Sequence, residues 1–162
     1  MLDVNRVQSG SADLQDRIAL RALVDSYAHA VDRWLVELFA SLFCPDGQLV
    51  VPHPAGGDHG VIVFDGRDGW SRAFSALAPC SATTHFVGNH LVSLDGNQAT
   101  GETYCLAHEL VEEDGTTSML VRAIRYADAY VRSGDKWLFR SRELTIDWQD
   151  SRLVTRLGRG SR

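Results

Sequence analysis

The feature that most constrains this chain is a set of three turn pairs in its C-terminal half: Asp95-Gly96, Asp114-Gly115 and Ser133-Gly134. Pairs of this kind favour tight hairpins, because glycine adopts the positive φ such turns need. The stretches between them are rich in β-branched and aromatic residues. They predict four antiparallel strands, at roughly 82–94, 98–112, 117–131 and 136–147. Ordinary strands run to about 5–6 residues, so strands this long imply a strongly curved sheet with bulges.

The N-terminal half reads differently. A helix is expected to start near Ser11 or Asp13, both good caps. Leu20, Val24, Tyr27 and Val31 then recur on one helical face. A second helix is expected over about Trp34 to Phe43, ended by Pro45, Asp46 and Gly47. Gln48 to Val51 and Val61 to Phe64 read as short strands around a Pro/Gly loop, and a third helix is expected over about Arg67 to Leu77. Helices grouped before a meander predict an α+β fold: a cone-shaped, curved antiparallel or mixed sheet closed by three N-terminal helices. Such a cone suits an apolar pocket for a small hydrophobic ligand. The expected walls are Tyr27, Trp34, Phe39, Phe86, Tyr104 and Met119.

At 162 residues the chain is sized for one domain, with a core of about 11–148 and loose tails at 1–10 and 150–162. Its 16 basic and 21 acidic residues give a net charge of −5, which argues against a nucleic-acid partner. No apolar run reaches the ~18 residues a membrane span needs. The first ten residues show no apolar signal-peptide core. Three cysteines, with no CxxC pair, argue against a disulfide framework or a structural zinc site. The expectation is a cytoplasmic protein without metal or cofactor. His53, Asp58 and His59 share one loop, but no metal-ligand spacing occurs. Phosphate-cradling glycine motifs and a GxSxG elbow are also missing from the sequence.

Two ionisable groups stand out by position. Asp32 follows directly on the apolar seam that ends at Val31. His85 opens the first long strand, where strict alternation puts His85, Val87 and Asn89 on one face and Phe86 and His90 on the other. An imidazole beside a carboxylate makes a base, because the acid group fixes the tautomer and stabilises the imidazolium. The competing reading is structural: Asp32 caps the second helix, and His85 is a hydrogen-bonded core histidine. Tyr27 is either a hydrogen-bond donor to substrate or a core aromatic. His108 faces either the pocket or solvent. On the last strand Trp137 and Phe139 have one parity, Leu144 and Ile146 the other. Either both faces are buried or a bulge intervenes, so the parity leaves open whether Arg142 or Glu143 points inward.

Three segments carry a family likeness: YAHAVDR at the end of the first helix, THFVGN on the first long strand, and TYCLAHELVEEDG followed by YADAYVRSGDKWLF. From about Ser11 to Trp148 the chain resembles the nuclear transport factor 2-like superfamily in its SnoaL-like branch. That branch includes scytalone dehydratase, hexachlorocyclohexane dehydrochlorinase and bile-acid dehydratase. The resemblance implies a catalytic pair of Asp32 and His85, with Tyr27 as a third functional group. It implies substrate-binding roles for His108 and Arg142; Asn89, on the His85 face by alternation, and the wall residues Tyr104, Phe86 and Trp34 complete the expected substrate-binding set. The implied activity is a cofactor-independent lyase acting on a small hydrophobic ring substrate. The same first proton transfer would also serve an isomerase or cyclase. The family's fold also serves as a non-catalytic scaffold, as in the small subunit of aromatic-ring dioxygenases. A homo-oligomer, dimer or trimer, is the expected assembly.

Overall fold

The computed structural model describes residues 11–54 and 59–156. The elements run α1 (Ser11–Asp32), α2 (Val36–Ser41), β1 (Phe43–Pro52), β2 (Val61–Asp65), α3 (Gly66–Ser75), β3 (Cys80–Asp95), β4 (Gln98–Glu113), β5 (Thr116–Ser133) and β6 (Lys136–Leu153). The expected N-terminal tail lies outside the described residues, as does Asp58 of the β1–β2 loop.

α1 forms on the face read from the sequence. Leu20, Val24, Tyr27 and Val31 are all buried, joined by Leu23 and Ala30. Each large apolar side chain removed from water there contributes roughly 1.5–3 kcal/mol. The helix packs chiefly on β3 and more lightly on β6. Two arginines tie it to β3: Arg17 donates to the Val92 carbonyl at 2.9 Å, and Arg21 to the Gly88 carbonyl at 2.8 Å.

The end of α1 is fixed by a Schellman turn. Leu35 N–H donates to the Ala30 carbonyl at 2.9 Å, and Trp34 N–H to Val31 at 3.2 Å. The left-handed position of that turn, ordinarily glycine, is Trp34 at φ 59°. Asp32 is thereby the last helical residue. α2 has no side-chain cap, so Asp32 does not cap it.

The six strands form one curved, unclosed sheet in the order β2-β1-β6-β5-β4-β3. β1 and β6 run parallel and every other neighbouring pair antiparallel, so the sheet is mixed. The aromatic core lies between the sheet's inner face and the helices, where Phe39, Phe43, Trp70 and Phe139 meet Tyr27 and Tyr130.

Bulges explain where strict alternation fails. On β3 the register shifts between Val87 and His90, so His90 joins His85 on the inner face and Asn89 is exposed. On β6 one bulge at Arg140 brings Arg142, Leu144 and Ile146 to the face of Trp137 and Phe139, which resolves the parity conflict. Glu143 points outward and is exposed. A second bulge at Asp147 turns Trp148 outward.

Several boundaries differ from expectation. α2 is shorter because the chain already pairs with β6 at Phe43. The tail expected to fray from Asp150 is strand as far as Leu153, which pairs with Ser118. Each bulge absorbs one residue, so β6 needs two more residues than β5 to run the ladder back to Ser118.

Candidate functional site

Asp32 and His85 meet where the end of α1 faces the start of β3. The Asp32 carboxylate accepts three hydrogen bonds: from His85 Nδ1 at 2.7 Å, from the His85 backbone N–H at 2.9 Å, and from Thr83 Oγ1 at 3.0 Å. Thr83 and His85 are two apart on β3, so both side chains leave the same face. Burial by itself would raise the Asp32 carboxyl pKa. The hydrogen bonds from His85 and Thr83 outweigh burial and hold it below the usual value. An ionised carboxylate only accepts, so the His85 ring proton sits on Nδ1 and Nε2 carries the free lone pair. The two side chains keep fractional exposures of 10% for His85 and 21% for Asp32, enough for a small molecule to touch them. An imidazole arranged this way can take a proton at Nε2 while the carboxylate stabilises the resulting cation.

A second polar network lies deeper. Arg142 is fully buried and grips Asp128 through two parallel bonds, Nε to Oδ1 at 2.8 Å and a terminal nitrogen to Oδ2 at 3.0 Å. Thr103 Oγ1 (3.0 Å) and the Tyr130 hydroxyl (2.9 Å) also donate to Asp128. Tyr130 has given its only proton to Asp128. His90 Nε2, 3.1 Å from the Tyr130 oxygen, is therefore the donor in that contact. Burial lowers the His90 pKa. The Arg142 guanidinium also lies over three rings: Tyr126 at 4.0 Å, Tyr27 at 4.3 Å and Phe139 at 4.5 Å. Burial opposes its charge, but Asp128 outweighs burial and lifts the arginine pKa above its ordinary value. Arg142 points inward, yet its guanidinium is engaged by Asp128 rather than open to a ligand.

Tyr27 is buried under this guanidinium, one and a half turns before Asp32. Burial pushes its phenol up to about 12, so the hydroxyl keeps its proton at neutral pH. Burial likewise pushes the Cys105 thiol up to about 11.

The remaining candidates do not gather around Asp32 and His85. Asn89 is exposed, because the β3 bulge turns it out. Phe86, Tyr104, His108 and Met119 lie on the outer face of the sheet. Phe86 is 68% exposed, Arg125 covers the Tyr104 ring at 5.2 Å, and His108 and Met119 line a shallow outer groove. The pocket walls expected from these residues therefore face away from His85. Trp34 stays half-exposed in the Schellman turn, edge-on to Phe74 of α3 at 6.2 Å. His53 and His59 stack at 5.5 Å. Among the described residues no group of three or more His, Cys, Asp or Glu side chains is placed to hold a metal ion. Nor is any described helix long and apolar enough to cross a membrane.

Asp128, Thr103, Tyr130 and His90 were not among the sequence candidates. Asp128 was readable: in YADAYV it alternates with Tyr126 and Tyr130, so a carboxylate on an aromatic face signals a buried partner. His90 was not, because the bulge reverses its parity.

With this geometry in view, comparison with known proteins places the chain. Residues 12–143 match the model of the SnoaL-like domain. The chain belongs to the SnoaL-like family. An uncharacterized protein of Mycobacterium tuberculosis is 25% identical over 138 residues, covering 83% of this chain and 87% of that protein. Among solved structures, a candidate scytalone dehydratase from Novosphingobium aromaticivorans superposes with a TM-score of 0.73 at 19% identity, covering 93% of this chain and 99% of that one. The hexachlorocyclohexane dehydrochlorinase LinA-type3 from Novosphingobium barchaimii superposes with a TM-score of 0.72 at 16% identity, covering 95% and 100%. At such identities the structural likeness shows the shared fold alone.

Proposed function

We propose that this SnoaL-like chain is a lyase that eliminates water or halide from a small, mostly hydrophobic ring substrate. The observation that supports it most is the 2.7 Å contact of His85 Nδ1 with an Asp32 carboxylate, which leaves Nε2 free as a base. His85 Nε2 takes a proton from carbon. The electron pair of that C–H bond becomes the new C=C bond. The leaving group on the neighbouring carbon departs with its own bonding pair, as halide or as hydroxide that takes back from the His85 imidazolium the proton removed from carbon and leaves as water. Asp32 stabilises the imidazolium through the Nδ1 hydrogen bond. Tyr27, still protonated at neutral pH, supplies a hydrogen bond to the departing group or to an enolate. A positioned base of this kind contributes roughly 10²–10⁴-fold to rate. Solved relatives of the same fold bear dehydratase and dehydrochlorinase names, which agrees with this chemistry.

The test is a panel of cyclic β-hydroxy ketones and chlorinated cyclohexanes. Enone absorbance and halide release are followed for the wild type, H85Q and D32N. The reading expects turnover in the wild type and losses of about 10²-fold or more in both variants, each still folded by circular dichroism. H85Q with wild-type turnover would overturn it.

A further inference from the structure

We propose that Arg122 is a further catalytic residue, the cation that receives the oxygen of a ring ketone while His85 removes the neighbouring proton. This inference rests on the proposed elimination and narrows its substrate to rings with a carbonyl beside the reacting carbon.

The placement follows from the register of the sheet. His85, Ala107, Arg122 and Gln149 form one row across β3 to β6. Cross-strand partners share a face, so Arg122 leaves the sheet on the side of His85. The adjacent row begins Thr83, Glu109, Leu120. Asp32 binds both Thr83 and His85, which puts the two rows on the inner face. Arg122 lies two strands from His85, about 10 Å between Cα atoms. Between them the row carries only the methyl group of Ala107. A substrate of one or two rings can therefore lie between the imidazole and the guanidinium.

Arg122 is held but not used up. Glu109 accepts a hydrogen bond from its Nη1. Among the described residues that is its only hydrogen-bond partner, so Nε–H and Nη2 remain as a free edge. Arg142 grips Asp128 through the same edge. The Arg142 pair is closed to water, whereas Arg122 keeps 28% exposure and Glu109 13%, so a ligand can reach Arg122.

Charge decides what that edge takes. With His85 neutral, the site holds the carboxylates of Asp32 and Glu109 against one guanidinium, and the resting balance is already anionic. A substrate carboxylate would add to the excess. A carbonyl oxygen arrives neutral and becomes negative only as His85 becomes positive. The guanidinium then gains in the transition state a partner it lacked in the ground state, which is the condition for catalysis.

His85 Nε2 takes the proton α to the carbonyl. The C–H pair forms the enolate C=C bond, and the carbonyl π pair moves onto the oxygen, against Arg122 Nε and Nη2. The oxygen pair then re-forms C=O, and the enolate pair becomes the new C=C bond to the neighbouring carbon. Hydroxide leaves that carbon and takes the proton back from His85 as water. Glu109 touches no reacting atom and is a positioning residue.

The experiment isolates the first proton transfer. α-Tetralone and cyclohexanone, deuterated beside the carbonyl and lacking a leaving group, are incubated with the full chain, and deuterium loss to water is followed by NMR. The wild type should catalyse the exchange. R122A and R122Q, each checked for folding by circular dichroism, should lose about 10²-fold or more. Millimolar guanidinium chloride should restore part of the R122A loss, which it would not do for a purely structural defect. E109Q should lose less, and E109Q/R122A should lose no more than R122A alone, because Glu109 acts through Arg122. A wild type that exchanges neither ketone overturns the role of Arg122, as does wild-type exchange in R122A and R122Q. Additive losses in E109Q/R122A overturn the positioning role of Glu109. H85Q separates this proposal from the reading beneath it. Exchange abolished in H85Q but intact in R122A leaves His85 as the base and removes Arg122, whereas wild-type exchange in H85Q removes the base itself.

Discussion

Asp32 holds His85 at two points, taking the ring Nδ1 proton at 2.7 Å and the backbone N–H at 2.9 Å. One carboxylate therefore fixes both the strand position and the ring orientation of the histidine. The grip depends on where α1 stops. The Schellman turn makes Asp32 the last helical residue, and Thr83, on the same face of β3, takes up further acceptor capacity of the carboxylate. Orientation of this kind lowers the cost of bringing a base to a reacting carbon.

The grip should be visible in acid. The Asp32 pKa in the folded protein lies below the 3.8 of a free carboxyl, because the His85 and Thr83 hydrogen bonds outweigh burial. A depressed folded value adds stability that is present above 3.8 and is lost as pH falls through the folded pKa. Thermal unfolding of wild type and D32N, followed from neutral pH downward, should show a wild-type advantage that narrows in that acid window. A difference independent of pH would mean that the ionised carboxylate is not what stabilises the contact.

The Arg142–Asp128 pair makes a larger demand on the fold. Both side chains are essentially excluded from water, at 1% and 0% exposure. Removing one member strands the other charge, and such losses run at about 3–5 kcal/mol. R142M and D128N should each lower the unfolding free energy by that order, seen as a lower urea midpoint. The apolar double variant R142M/D128L should recover much of the stability, since no unpaired charge remains. R142K should not substitute well, because an ammonium cannot make the two parallel bonds or lie flat against Tyr126 and Tyr27. Equilibrium urea unfolding of the four variants decides the matter.

The meander, the helical face of α1 and the inward parity of Asp128 were legible because periodicity and turn chemistry are local. Asp32 and His85 stood out by position, at the end of the apolar seam and the start of the first long strand, and the family likeness favoured their catalytic reading over the structural one. What alternation alone lost includes three of the sheet's register shifts, those at Gly88-Asn89, Arg140 and Asp147. Each inserts one residue, and each reverses the faces of everything beyond it. Asn89 moved out and His90 moved in for that reason. The outward turn of Phe86, Tyr104 and His108 has a different origin. Those residues share a face with each other by plain alternation, and only the docking of α1 on the His85 side decides which face is inner.

Trp34 tests the turn that positions Asp32. A left-handed conformation costs a residue with a Cβ about 1–2 kcal/mol. At φ 59° a glycine is free of that cost, although any truncation there also gives up the buried part of the indole and its edge contact with Phe74. W34G should therefore be more stable than W34A, which loses the same indole but keeps the strain, by about 0.5–1 kcal/mol after the extra chain entropy of glycine is counted. Gly47 shows the opposite sign. A Cβ there would come within 2.8 Å of the Cys44 carbonyl oxygen and 2.9 Å of Phe43 Cβ. Neither atom is at the end of a flexible side chain, so G47A should cost about 1–3 kcal/mol. The two substitutions, measured side by side, separate backbone strain from packing.

Alkaline titration reports on the buried tyrosine under Arg142. The Tyr27 phenol is raised from 10.0 to about 12 by burial, which disfavours the phenolate. A raised folded value means that the unfolded chain loses its proton first. The stability this contributes is complete below pH 10.0 and disappears as pH rises toward about 12. Tyr126 and Tyr130 are raised by burial as well and act in the same direction. The wild type should therefore lose stability progressively above pH 10.0, with the tyrosinate absorbance of Tyr27, Tyr126 and Tyr130 appearing together with unfolding rather than ahead of it. Y27F removes one of the three phenols but keeps the ring under the guanidinium. Its stability should fall less steeply with pH over that interval, and its tyrosinate amplitude on unfolding should be smaller by one phenol. A Tyr27 that ionised near its ordinary value in the folded state would show as early absorbance, absent from Y27F, with no accompanying loss of structure. The phenol could then not be counted on as a protonated donor across the working pH range.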